Sequence, residues 1–230
     1  MATTIGTRNS KWQGTALLGG LLAGSVALVM LRAMWTHSGY YLFLLWNLFL
    51  AVVPLVASAL LRRAAERKAT DLVQIALLAL WLLFLPNAPY ILTDLVHLTP
   101  DGSRLYWYDL GMVLSCAGTG LLLGYASLFE VHELFERRFG ERFGWSVAVV
   151  ALLASGYGVY LGRVQRWNSW DVVTNPQGLL MSIVDTATNP AQHLHAYALS
   201  GLFGGGLVAG YAVLHTMRGM RQPVPVSPLG

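Results

Sequence analysis

Apolar residues occur along this chain in six long runs, separated by short polar segments. The runs cover residues 14–31, 40–61, 72–96, 107–129, 144–163 and 191–216. Each is close to the ~20 residues that an α-helix needs to cross the hydrocarbon core of a bilayer. The pattern lacks the alternating segments of roughly ten residues that are typical of a membrane β-barrel. The sequence therefore predicts an all-α fold, a polytopic membrane protein built as a six-transmembrane-helix bundle.

The composition points to the same environment. Hydrophobic residues make up 55% of the 230 residues and charged residues only 11%, whereas a soluble domain carries about 25% charged residues. So few charges could not cover a soluble surface, so we expect lipid to surround the bundle. The net charge of +4 comes from clusters between the apolar runs. These are membrane anchors, and we expect no nucleic-acid partner.

Lysine and arginine are unevenly distributed between the two sides of the predicted bundle. Eleven lie in the N-terminal segment, the second and fourth loops and the C-terminal segment, and four, including Arg32 and Arg163, lie on the opposite side. By the positive-inside rule, both termini are cytoplasmic. We divide the chain into a cytoplasmic tail (1–13), a membrane domain (14–217) and a disordered cytoplasmic tail (218–230). The first span has a basic flank without a small-residue cleavage site, so we expect it to stay uncleaved.

Two loops carry signals of their own. In the outer fifth loop, Asn175-Pro176 and Asn189-Pro190 each resemble a helix N-cap followed by proline. The first predicts a short interfacial helix on the outer face, and the second predicts the start of the final span. In the fourth loop, Phe135 and Phe139 belong to an aromatic stripe that favours a position in the headgroup region.

Small residues four apart, such as Gly20 and Gly24 or Gly158 and Gly162, allow helix backbones to approach closely in lipid. They predict a tightly packed bundle and leave open a homo-oligomer formed through the same faces. The single cysteine, Cys116, lies inside the fourth span, where we expect a small packing residue.

The third span contains the most unusual local sequence. Pro86 and Pro89 interrupt it and cannot donate to the carbonyls of Leu82 and Leu85. In lipid, a backbone acceptor without its donor has to find a partner in protein or trapped water. The amide of Asn87 is positioned to satisfy one of them. We expect a break at this point, in the outer half of the membrane.

A polar stripe continues from the break. Asn87, Tyr90, Asp94 and His97 follow at spacings of three or four, so on an α-helix they share a face. The end of the fifth span forms a second polar segment at the same level. We expect these groups to converge on one outward-facing polar pocket, which also contains Asp109, Arg163, Arg166, Trp167, Asn168, Asp171, His193 and His195.

We expect this pocket to bind a ligand. Its ligand residues would be Asn87, Tyr90, Asp94, Arg163, Arg166, Trp167, Asn168 and Asp171, with the two arginines holding an anionic group. Asp94, His97 and Asp109 are candidates for general acid–base catalysis. The chain shows no phosphate loop, nucleophile elbow or His-Glu-x-x-His motif, so catalysis is permitted without being indicated.

Structural explanations compete with each of these roles. Arg163 could instead pair with Asp94 or Asp109 to neutralise a buried charge. The tryptophans are more typical of interface anchors, and the proline segment of a packed kink. His193 and His195 are two apart and do not share a helix face. Asp94, His97 and Asp109 could also form a carboxylate and imidazole site for a divalent ion, but we assign no metal ligand and name no cofactor.

Two segments resemble a known family. Phe84-Leu-Pro-Asn-Ala-Pro-Tyr-Ile-Leu-Thr-Asp-Leu95 and Tyr160-Leu-Gly-Arg-Val-Gln-Arg-Trp-Asn-Ser-Trp-Asp171 are similar to the bacterial membrane-protein family called domain of unknown function 1361. The resemblance extends over most of the chain from the second span onward. It implies a multi-helix protein of a bacterial inner membrane and no particular activity. The matching motif positions coincide with the predicted pocket.

Three hypotheses follow from the sequence. The first is an outward-facing pocket for a small polar or anionic ligand, such as a lipid headgroup. The second is a small transporter or ion-coupled carrier with its site at the Pro86–Pro89 break, which requires a polar path to the cytoplasm. The third is a membrane assembly or sensor component that acts through the Phe135 stripe.

Overall fold

The computed structural model describes residues 3–98 and 104–220, with side chains from residue 14 onward. Helices account for all the regular structure in those ranges. They are α1 (Thr3–Thr36), α2 (Phe43–Glu66), α3 (Asp71–Phe84), α4 (Asn87–Tyr90), a 3₁₀ helix (Ile91–His97), α5 (Tyr106–Phe139), α6 (Glu141–Arg163), α7 (Asp171–Thr174), α8 (Pro176–Thr188) and α9 (Leu194–Met220).

Six of these segments are long and apolar enough to cross a membrane. They are Gly14–Thr36, Phe43–Glu66, Asp71–His97, Tyr106–Phe139, Glu141–Arg163 and Leu194–Met220. The six-span, all-α prediction is confirmed. Residues 3–13, assigned to a tail from the sequence, belong to α1, and the tail beyond residue 220 lies outside the described residues.

The helices pack in two groups that share α2 and α5. In the first group, α1, α2, α5 and the 3₁₀ helix surround an apolar cluster that includes Leu44, Leu48 and Ile91. In the second, α3, α6 and α9 join α2 and α5 around Trp81, Leu128 and Tyr211. We call the end of the bundle that carries residues 37–42 and 164–193 the loop end, and the other the tight end.

Close backbone approach occurs where glycine removes the side chain. A Cβ atom on Gly156 would lie 2.5 Å from the Ser200 carbonyl oxygen and from the Gly204 nitrogen, so α6 and α9 touch through their backbones. Cβ atoms on Gly120 and Gly124 would collide with Ala88 in the same way. The predicted packing role of small residues therefore holds at these positions.

Other predicted glycine contacts are not made within the chain. Gly20 and Gly24 have no neighbouring atom within 4 Å of an added Cβ, so that pair packs against nothing in the described bundle. The prediction of a homo-oligomer through such faces stays a prediction.

The fourth loop, predicted as an amphipathic stretch, is almost entirely helical. α5 continues to Phe139 and α6 begins at Glu141. Gly140 makes the turn with a φ of 94°, a value that glycine adopts at little cost. Phe135, Phe139 and Phe143 contact one another across this corner, with ring centroids 4.9–6.1 Å apart.

The interfacial helix predicted in the fifth loop is present as α8. The side-chain oxygen of Asn175 accepts a hydrogen bond from the Gly178 N–H at 3.1 Å, and Pro176 is the first helical residue. The second proline signal was wrong: Asn189 ends α8 and donates to Asp185. The final span begins at Leu194, so His193 precedes it.

We predict that Gly156→Ala lowers the free energy of unfolding by about 1–3 kcal/mol, because a methyl group there forces α6 and α9 apart. Gly206→Ala on α9 is the matched control, since an added Cβ there meets no atom within 4 Å. Thermal unfolding in detergent measures both, and equal stability of the two variants would contradict the backbone contact.

Candidate functional site

The third span breaks at its prolines, and local hydrogen bonds compensate for the break. α3 ends at Phe84, and the chain continues as the single turn α4. The Asn87 amide nitrogen donates to the Phe84 carbonyl oxygen at 3.0 Å and to Ser169 Oγ, also at 3.0 Å. Ser169 Oγ donates in turn to the Leu83 carbonyl oxygen at 3.3 Å. Asn87 thus has the predicted compensating role, but for Phe84 rather than Leu82 or Leu85.

Past the break the backbone changes from α to 3₁₀ geometry. In a 3₁₀ helix, residues three apart lie one above the other, which places Ile91, Asp94 and His97 on one face. Asn87 and Tyr90, in the α-helical turn, lie on another. The single polar stripe that the sequence predicted is therefore divided into two groups by the change of helix type.

The first group lines a cavity of about 240 Å³ at the break, between α2, α3, α4, α6 and the segment after α6. Its polar and aromatic lining residues are Trp46, Asn47, Asn87, Tyr90, Trp167, Asn168, Ser169 and Trp170. Four of the predicted ligand residues are among them: Asn87, Tyr90, Trp167 and Asn168. Asp94, Arg163, Arg166 and Asp171 are not.

The segment after α6 folds back over the break. Arg166 adopts a φ of 62°, a left-handed conformation that costs a non-glycine residue roughly 1–2 kcal/mol. The Trp167 N–H then bonds to the Leu161 carbonyl oxygen at 3.1 Å. This reversal carries Asn168, Ser169 and Trp170 against the cavity, while the Arg166 side chain remains exposed.

The second group is a charged cluster behind the cavity. The Asp94 carboxylate is 2% exposed and lies 3.6 Å from the Arg163 guanidinium. Asn47 Nδ2 donates to its other oxygen at 2.8 Å. Both terminal Arg163 nitrogens lie 3.4 Å from His97 Nε2. The pairing of Arg163 with Asp94 is one of the two partners considered from the sequence.

Asp109 does not join this cluster. It makes a two-pronged ion pair with Arg32 of α1, with Nε–Oδ1 and Nη2–Oδ2 distances of 2.5 and 3.0 Å. The convergence predicted for Asp109 with Asp94 and His97 is therefore not observed, because Asp109 is paired with Arg32 instead.

Three further predicted residues also lie outside the cavity. Asp171 closes a turn in its own segment, accepting from the Asn168 N–H at 2.7 Å and from Thr174 Oγ1 at 2.9 Å. His193 pairs with Asp185 at 2.9 Å, and His195 is exposed at the start of α9. Within residues 14–98 and 104–220, no group of three His, Cys, Asp or Glu residues could hold a metal ion.

Sequence reasoning missed Asn47, Trp46, Ser169 and Arg32. Asn47 is the residue that belongs to both groups, since it lines the cavity and donates to Asp94. A single amide within the apolar run Leu44-Leu-Trp-Asn-Leu-Phe-Leu50 was the available signal, because a polar side chain inside a span normally faces a partner.

The comparisons with known proteins agree with the motif resemblance. No curated protein and no solved structure matches the chain. A family model described as "Protein of unknown function (DUF1361)" matches residues 46–205, a range that contains the whole cavity lining and the Asp94 cluster. The chain therefore belongs to this family of proteins of unknown function.

Proposed function

We propose that this protein binds a small polar ligand, such as the headgroup of a lipid, in the cavity at the break of the third span. The observation that carries the proposal is the lining itself. Three asparagine amides, a tyrosine, a serine and three tryptophans surround one space at the break of the span. A few convergent polar groups on apolar walls are typical of small-molecule sites.

The size and access of the cavity support a headgroup. Its volume of about 240 Å³ is the volume that roughly eight water molecules occupy in the liquid. This space is enough for a small headgroup. Trp46 and Trp170, with ring centroids 6.3 Å apart, are 51% and 41% exposed, and Leu82 is 41% exposed. These residues open toward the surface of the bundle, where lipid would reach them.

The charged cluster supports a structural role beside the site. Arg163 is paired with Asp94 and does not line the cavity. Asn47 joins this cluster to the cavity wall and fixes the position of its amide. The proposal is therefore binding, and it assigns no reaction to Asp94, His97 or Asp109.

Packing below the cavity favours binding over transport. Trp81, Leu85 and Leu128, on the tight-end side of the break, are each at most 2% exposed. Trp81 also donates to Ser127 Oγ at 3.1 Å. A carrier requires a polar path through this layer, and these residues close it with apolar side chains.

We further propose that the loop end faces outward from a bacterial inner membrane and that both termini are cytoplasmic. The excess of lysine and arginine on the tight-end side supports this orientation.

The orientation predicts distinct labelling of two introduced cysteines in a Cys116→Ala background. A membrane-impermeant maleimide added to intact cells should label Ala191→Cys at the loop end and leave Thr70→Cys unlabelled. Both positions are exposed. Labelling of Thr70→Cys alone would show that the protein has the opposite orientation.

Filling the cavity should abolish binding. We predict that Leu179→Trp, which adds volume to a lining residue without removing a hydrogen bond, reduces retained ligand at least tenfold. The measurement is mass spectrometry of species retained from a total lipid extract by the purified protein.

Leu180→Trp is the matched control, because Leu180 is the next residue, is 61% exposed and does not line the cavity. It should retain the same species as the wild type. Equal retention by the two variants, or no selective retention by the wild type, would refute the proposed site.

Asp171 holds the segment that closes the cavity, and this predicts a pH dependence. The backbone N–H of Asn168, followed by the Thr174 hydroxyl, lowers the pKa of the Asp171 carboxyl below its ordinary value. A lowered folded pKa means that this stabilisation is complete above the ordinary pKa of about 3.9 and disappears as the pH falls through the folded value.

We therefore expect hydrogen-exchange protection of the Asn168 amide to persist at neutral pH and to decrease below pH ~4. Asp171→Ala should lose this protection at every pH. Asp185→Ala should keep it, since Asp185 bonds to Asn189 and His193 instead. A wild-type protection that stays constant below pH ~3 would contradict the role of the carboxylate.

A further inference from the structure

We infer that the cavity takes a neutral, hydroxyl-rich group, the chemistry of a sugar, rather than a phosphate or another anion. This inference rests on the proposed function and specifies its ligand. It comes from the hydrogen bonds that the cavity asparagines have already made.

Each of the three cavity asparagines donates a side-chain N–H inside the protein, and Asn87 donates both of its own. Asn47 donates to the Asp94 carboxylate, Asn87 to the Phe84 carbonyl and Asn168 to the Asp171 carboxylate. An ionised carboxylate and a backbone carbonyl can only accept, so the partner fixes which end of each amide is the nitrogen. The orientation does not depend on an arbitrary choice between oxygen and nitrogen.

The three carbonyl oxygens are consequently left for a ligand. None of them has a partner among the described residues. The oxygens of Asn47 and Asn87 are not among the sealed, unpartnered atoms of those residues, and Asn168 is an exposed residue. They accept hydrogen bonds and do not donate. An anionic phosphate, which also only accepts, would leave these three oxygens without donors. Hydroxyl groups can donate to them and can also accept from the remaining amide N–H groups of Asn47 and Asn168.

The charge of the lining agrees with this assignment. Among the described residues that line the cavity there is no Lys, Arg, His, Asp or Glu. An ion in this partly apolar space would lose hydration without gaining a counter-charge. Arg163, the nearest cation of the neighbouring cluster, is committed to Asp94 at 3.6 Å.

The aromatic walls suit the other surface of a sugar. Trp46, Trp167 and Trp170 supply flat apolar faces next to the amide oxygens, and a sugar ring has apolar C–H faces bounded by hydroxyl groups. Trp46 and Trp170 stand at the exposed edge, so the group could arrive as a lipid headgroup or as a free sugar.

The test compares lipids that differ in headgroup charge. The full chain is placed in phosphatidylcholine nanodiscs, and binding of glucosyl diacylglycerol and of phosphatidylglycerol with the same acyl chains is measured by native mass spectrometry. We expect the glucosyl lipid to bind at least tenfold more tightly. Phosphatidylglycerol also carries hydroxyl groups, so the two headgroups differ in the anionic phosphate and in the sugar ring, the two features that the inference distinguishes.

A variant tests the acceptors directly. Asn168→Ala removes one carbonyl oxygen while the backbone N–H of residue 168 keeps its 2.7 Å bond to Asp171. Glucosyl lipid affinity should fall about threefold to tenfold, the range expected for one hydrogen bond, and phosphatidylglycerol binding should not change. Asn189→Ala, outside the cavity, is the control and should bind as the wild type does.

The outcomes separate the two proposals. Tighter binding of phosphatidylglycerol, lost in Leu179→Trp, would overturn this inference and leave the proposed site intact. Failure of both lipids and of methyl glucoside, together with no species lost in Leu179→Trp, would overturn both proposals. If methyl glucoside competes with the glucosyl lipid, the inference is supported and the ligand can be a free sugar. If the glucosyl lipid binds and methyl glucoside does not compete, the inference is supported and the ligand is a lipid headgroup.

Discussion

The backbone carbonyl groups released by the proline break constrain this part of the structure more than any other feature. The hydrocarbon core of a bilayer holds no water that could donate a hydrogen bond to an unsatisfied carbonyl group. A break in a span therefore requires donors from elsewhere in the protein. Here Asn87 and Ser169 supply them to Phe84 and Leu83. Because Ser169 belongs to the segment after α6, the repair of the third span also fixes that segment in place, and the cavity lies between them.

The same low-dielectric environment explains how the charged residues are arranged. Asp94 and Asp109, at 2% and 6% exposed, each have an arginine partner, Arg163 and Arg32 respectively. A buried charge without a partner is costly, so the two carboxylates are neutralised separately. This pairing occupies Arg32 and Arg163, and the cavity is lined, among the described residues, by uncharged amides, indoles and apolar side chains.

The family match adds a boundary to this arrangement. It covers residues 46–205, which include the cavity, the Asp94 cluster and α8, whereas Arg32 lies before it. The break, the folded-back segment after α6 and the pair of Asn47 with Asp94 therefore form one unit within the matched region. The Arg32–Asp109 pair ties α1 to that unit from outside.

The sequence alone determined the six spans, the helix break at Pro86 and Pro89, and the N-cap at Asn175, because hydrophobic length, missing donors and capping are local properties of the chain. It could also place Asn87, Tyr90, Trp167 and Asn168 near one another, since topology brings those span ends together. Tertiary structure decided the rest. The 3₁₀ helix turned Asp94 and His97 away from Asn87, Arg32 captured Asp109, and Asn47 entered the site from a different span. Such choices depend on which distant partner satisfies a buried group, and local spacing carries no information about that partner.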